Sequence, residues 1–102
     1  MKKAIMMDAK DNVATAISAI LAGEEVEILS TKQEIVQRIK ARDSLPLGHK
    51  IALMDIKPGN EIKKYGAIIG KASKDITKGE YVHIHNVESN RMPLTEHMLG
   101  YR

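Results

Sequence analysis

Apolar residues in this chain recur mostly at every second position, in short runs broken by polar turns, and that period belongs to strands. Lys3 to Met7 reads as a first strand. The one departure follows at once: Val13, Ile17, Ile20 and Leu21 fall at i, i+4, i+7 and i+8, which predicts a helix. Asp8 and Asp11 stand where N-caps would be and Gly23 where the helix would end, while Ala14, Ala16, Ala19 and Ala22 would let it pack closely. Glu25 to Leu29 then alternates again. Ser30 to Gln33 turns the chain, and Glu34 to Lys40 returns as the second arm of a hairpin. Ile35, Val36 and Ile39 would also suit a helix, but the β-branched residues and the short polar connection favour strands.

From Leu45 onward a phrase recurs: an apolar residue, two others, glycine, a polar residue and a new strand. It is spelled Leu45-Pro46-Leu47-Gly48-His49, Ile56-Lys57-Pro58-Gly59-Asn60 and Ile76-Thr77-Lys78-Gly79-Glu80. Each copy predicts a strand end and a tight turn needing the positive φ that glycine supplies. Lys50 to Asp55 reads as a strand between copies, and the Tyr65-Gly66-Ala67-Ile68-Ile69-Gly70 run suggests bends in a curved sheet. The expected fold is mostly β with one N-terminal helix, an α+β domain of many short strands over residues 1–87. Past Asn86 the regularity ends, so 88–102 reads as a C-terminal tail or linker whose Met92, Leu94 and Leu99 are available to a partner.

Composition narrows the chemistry. With three Tyr and neither Phe nor Trp, the core must be aliphatic, and with no Cys there are no disulfides, thiolate metal sites or thiol nucleophiles. The net charge of +3 is spread among nearly as many acids, and no aromatic platform is available, so nucleic acid is not an expected partner. The apolar run after Lys2 and Lys3 is too short for a signal peptide, and no stretch could span a membrane. A soluble, cytoplasmic protein is expected.

The most unusual chemistry lies in Tyr81-Val82-His83-Ile84-His85-Asn86. As a strand it would put Tyr81, His83 and His85 on one face and Val82, Ile84 and Asn86 on the other. The two imidazoles, about 6.5–7 Å apart at Cα, could then converge on a metal ion, a carboxylate or a reacting hydroxyl, or simply face solvent. His49, directly after Gly48, could point from a sheet edge toward a neighbouring domain or be a surface histidine. Lys50 and Lys64 suit a carboxylate but equally water, and Asn86 suits either a ligand or the end of a strand. Met6, Met7 and Met54 read as core filler, and Tyr65 as core or interface.

Taken together, Gly48-His49-Lys50-Ile51-Ala52-Leu53, Asp55-Ile56, Lys64-Tyr65-Gly66, Ile69-Gly70-Lys71-Ala72, Asp75-Ile76 with Gly79-Glu80, and Val82-His83-Ile84-His85-Asn86 resemble the SAF domain of the altronate and galactarate dehydratase family. The resemblance implies a β-clip and an arrangement in which this domain precedes a large catalytic domain or forms a separate small subunit. The chain's length looks like the latter, a subunit inactive alone and able to join an oligomer. The resemblance further implies elimination of water, or of sulfite, from a sugar acid or related carboxylate. It makes His83 and His85 the catalytic candidates, or metal ligands instead, with His49, Lys50 and Asn86 binding substrate. The implied cofactor is a divalent metal such as iron(II), held mainly by the large subunit. A non-catalytic carbohydrate- or carboxylate-binding module, or one serving subunit assembly, is the alternative.

Overall fold

The computed structural model describes residues 1–88, and the predicted tail with Met92, Leu94 and Leu99 lies outside the described residues. Among the described residues nine short strands build two sheets: β1 (Lys2–Ile5), β2 (Val13–Ala16), β3 (Glu25–Leu29), β4 (Ile35–Lys40), β5 (Lys50–Ala52), β6 (Glu61–Lys64), β7 (Ala67–Ala72), β8 (Tyr81–Val82) and β9 (Val87–Glu88). The larger sheet has the order β4-β3-β1-β2-β5-β8 and the smaller β6-β7-β9. Neighbours are antiparallel except β1 and β3, which run parallel.

No helix occurs among the described residues, which corrects the predicted N-terminal helix and the α+β class. Its intended stripe is split, because Val13 and Ile20 are buried while Ile17 and Leu21 are exposed. Residues 13–16 form a strand instead, with Val13 in one hydrophobic cluster and Ala14 and Ala16 in the other. A strand buried on both faces shows no polar alternation, so its apolar residues can fall into a false helical register. Asp11 is no cap. Its carboxylate accepts from the amides of Tyr65 (2.9 Å), Gly66 (2.8 Å) and Asp8 (3.1 Å), so it clamps a distant turn. That turn, between β6 and β7, carries positive φ at both Tyr65 (57°) and Gly66 (73°), the primed geometry that suits a two-residue hairpin.

The glycine phrase occurs four times rather than three. The extra copy, Ala16 to Gly23, lies inside the misread helix, and all four share a fuller form: Ala, three residues, Ile or Leu, two residues, Gly. The alanines Ala16, Ala41, Ala52 and Ala72 are all buried. Copies pair two by two about antiparallel bridges, Ile20 with Leu45 and Ile56 with Ile76, and each bridge has two reciprocal amide–carbonyl bonds of 2.8–2.9 Å.

Around these bridges the glycine amide of each copy donates to its partner's alanine carbonyl: Gly23 to Ala41, Gly48 to Ala16, Gly59 to Ala72 and Gly79 to Ala52. The alanine amides return the bond to the carbonyl of the residue after the glycine. At Gly23, Gly48 and Gly59 an added Cβ would meet nothing, and the positive φ alone calls for glycine; Gly79 is also crowded, by a backbone outside its own pair. At Gly79, with φ of +92°, a Cβ would come within 2.4 Å of the Lys40 carbonyl oxygen.

The aliphatic core divides into two clusters. One gathers Ala4, Ala14, Ala16, Ile20, Val26, Ile28, Ile39, Ala41, Leu45, Ile51 and Leu53, with Met6 and Tyr81 packed on it. The other gathers Val13, Ala52, Ile56, Ile62, Ala72, Ile76 and Val82, with Val87 beside it. Met54, read from the sequence as core filler, and Tyr65, read as core or interface, are both exposed.

Candidate functional site

The last strand of the larger sheet is far shorter than the sequence suggests. β8 holds only Tyr81 and Val82, after which the chain turns through residues 83–86. Asn86 causes the turn: its amide donates to the His83 carbonyl (3.0 Å), its Oδ1 accepts from the His83 amide (2.9 Å), and its Nδ2 donates to the Tyr81 carbonyl (2.8 Å). An asparagine side chain that replaces backbone partners in this way ends a strand. Buried at 3% exposure, Asn86 spends its side chain on the local backbone, whereas Ile84, which alternation puts on one face with the buried Val82, is 54% exposed.

The turn nevertheless gathers the rings. β5 and β8 are antiparallel with Lys50 opposite Val82 and Ile51 opposite Tyr81, and the next step in that register sets His49 across from His83. Their ring centroids are 5.1 Å apart. Tyr81 lies parallel to His83 at 5.5 Å and tilts against His85 at 5.5 Å. Its hydroxyl makes a 2.6 Å hydrogen bond with Nδ1 of His49. Tyr81 therefore touches all three imidazoles, and it is the site residue to which sequence reasoning gave no role. Its placement on the histidine face was the available signal.

Local sequence explains why His49 is available. It follows a turn glycine, the position held by Glu24 and Glu80 in their own copies, where each glutamate accepts the amide of the residue three before it, Leu21 or Thr77. In the His49 copy that residue is Pro46, which has no amide to donate. The side chain at 49 is freed from its turn and bonds across the sheet instead.

Burial lowers the pKa of His83 below the ordinary 6.5, and the neighbouring charges of His49, Lys50 and His85 push it the same way. At neutral pH His83 is thus an uncharged imidazole with Lys50 close enough to act on it electrostatically. Lys64 sits elsewhere, at the end of β6, with its ammonium 5.3 Å from the Tyr65 ring centroid. His83 and His85 offer nitrogen donors, but among the described residues no three of His, Asp and Glu are placed to hold a metal ion. These residues do not form a self-contained centre for a divalent metal. They can hydrogen-bond an oxygen-rich ligand and exchange protons with it.

The family model of the altronate/galactarate dehydratase SAF domain matches residues 2–90. The chain belongs to that family. Altronate dehydratase of Bacillus subtilis (strain 168) is 40% identical over 90 residues, covering 88% of this chain and 17% of its own length. The altronate dehydratase of Escherichia coli (strain K12) is 38% identical over 93 residues, covering 91% of this chain and 18% of its own length. The alpha subunit of (2R)-sulfolactate sulfo-lyase from Chromohalobacter salexigens is 31% identical over 88 residues, covering 85% of this chain and 94% of the subunit. This SAF-family chain thus spans less than a fifth of the altronate dehydratases it matches and nearly the whole of a lyase alpha subunit. No helix among the described residues is long and apolar enough to cross a membrane.

Proposed function

We propose that this chain is the small, SAF-domain component of a sugar-acid dehydratase or related lyase, lending His49, His83 and His85 to a site that a larger catalytic partner completes. The observation that carries the reading is the ring cluster. Three of the chain's four histidines and a tyrosine meet at the edge strand of the larger sheet, in a family whose relatives are named as dehydratases and lyases. The match along almost the full length of a lyase alpha subunit supports the separate-subunit arrangement.

Elimination from a hydroxy-carboxylate breaks the C–H bond next to the carboxylate and the C–O bond one carbon further on, and a carbon–carbon double bond forms between them. The proton goes to a base, and the hydroxyl leaves as water once it has gained a proton. A neutral imidazole is suited to the first task and a hydrogen-bond donor to the second. His83 meets the first description. Lys50 supplies positive charge beside it for a carboxylate or the enediolate that forms from it. A divalent metal, iron(II) in this reading, is held mainly by the partner.

Coexpression with a candidate large subunit tests this. His83→Ala and His85→Ala should each lower kcat on the order of 100-fold while the complex still assembles. Full turnover in both variants would remove the histidines from the reaction.

A further inference from the structure

Tyr81 is anchored through both its backbone and its ring. Its backbone amide donates to Oδ2 of Asp43 (2.9 Å), its carbonyl accepts from Nδ2 of Asn86 (2.8 Å), and its ring packs against the larger core cluster. From that fixed position the hydroxyl meets Nδ1 of His49 at 2.6 Å, a short bond even for a hydroxyl donor. Either atom could supply the proton, but the two arrangements are not equal. A phenol is the better donor and an unprotonated imidazole nitrogen the better acceptor, so the bond is strongest as O–H to Nδ1. An imidazole that accepts at Nδ1 carries its own proton on Nε2.

We propose that Tyr81 is the positioning residue of this site: its hydroxyl donates to Nδ1 of His49 and holds that ring as the Nε2–H tautomer, which presents a hydrogen-bond donor to a hydroxyl or carboxylate oxygen of the ligand. The functional part of this rests on the reading above, whereas the bond and the tautomer do not. The consequence is a division of labour. In its neutral form His49 has no free lone pair with which to act as a base or bind a metal, so it serves as a donor. His83, 5.1 Å away and stacked on the same tyrosine, has no such constraint among the described residues and is left as the acceptor. The lowered pKa of His83, caused first by burial, agrees with that assignment.

Ring-nitrogen NMR on the full chain labelled with 15N-histidine reads the tautomer directly, at a pH where the imidazoles are neutral. The wild-type protein should show His49 as a single Nε2–H form. Tyr81→Phe keeps the ring against His83 and removes only the hydroxyl, and it should convert His49 to a mixture of tautomers. A wild-type Nδ1–H tautomer would overturn the proposal, and so would an unchanged His49 in the variant. The wild-type spectrum decides the matter even if the variant folds poorly.

Kinetics of the assembled enzyme form a separate arm, in which Tyr81→Phe should lower kcat/KM on the order of tenfold. A changed tautomer with unchanged kcat/KM would overturn the place of His49 in the site and leave the hydrogen bond standing.

Discussion

His83 illustrates how one residue's surroundings set its chemistry. In the unfolded chain its imidazole takes up a proton near pH 6.5, whereas in the folded protein burial and the positive neighbours His49, Lys50 and His85 delay protonation to lower pH. Between those two values the unfolded state binds more protons, so stability falls as the pH is lowered from about 6.5 and levels off below the folded value. His83→Gln should remove that component. Urea unfolding followed across the acid range should show a shallower loss of stability in the variant than in the wild type. An identical slope would mean that the folded environment does not disfavour the charged ring.

At the scale of elements, the chain's legibility depended on how each strand is buried. The hairpin of β3 and β4 could be read because one face is polar, with Glu25 and Glu27 alternating with Val26 and Ile28. β2 could not, because both faces are covered and Asp11 before it acts at a distance. The final strand was half legible. Alternation put Tyr81, His83 and His85 on one side, but Asn86 bends the chain after Val82, and only the β5–β8 register reveals that His49 joins them. The repeat was legible in three copies, and its alanines carry the fourth. The sharpest test at this scale is Asp11, 5% exposed, which holds the strained Tyr65-Gly66 turn from a position more than 50 residues away. Asp11→Ala leaves those amides without their carboxylate and should cost about 2–4 kcal/mol. Asn, with one oxygen still able to accept, should recover part of that. Urea midpoints measure both, and a loss below about 0.5 kcal/mol would show that the clamp contributes little.

For the molecule as a whole, two pairs of turn motifs form an aliphatic framework, and the chemistry is displaced to one edge. The ring cluster is only partly covered by the chain itself: His49 and His83 are half-buried and His85 is exposed. Ile84, between the two histidines of the turn in sequence, and Leu47, two residues before His49, are apolar yet 54% and 63% exposed. Partly open imidazoles, with uncovered aliphatic side chains one or two residues away in the chain, fit a surface that another polypeptide closes. That juxtaposition is invisible in the sequence, because it joins residues more than 30 positions apart through a two-residue strand.

If the histidines line a surface shared with a larger catalytic partner, that partner must shield them, and histidine modification by diethyl pyrocarbonate, located by mass spectrometry with and without it, reads the shielding. His85, open in the isolated chain, and His49 and His83, partly open, should become protected in the complex and more so when a sugar acid is added. Equal labelling of all three in the free chain and in an active complex would contradict it.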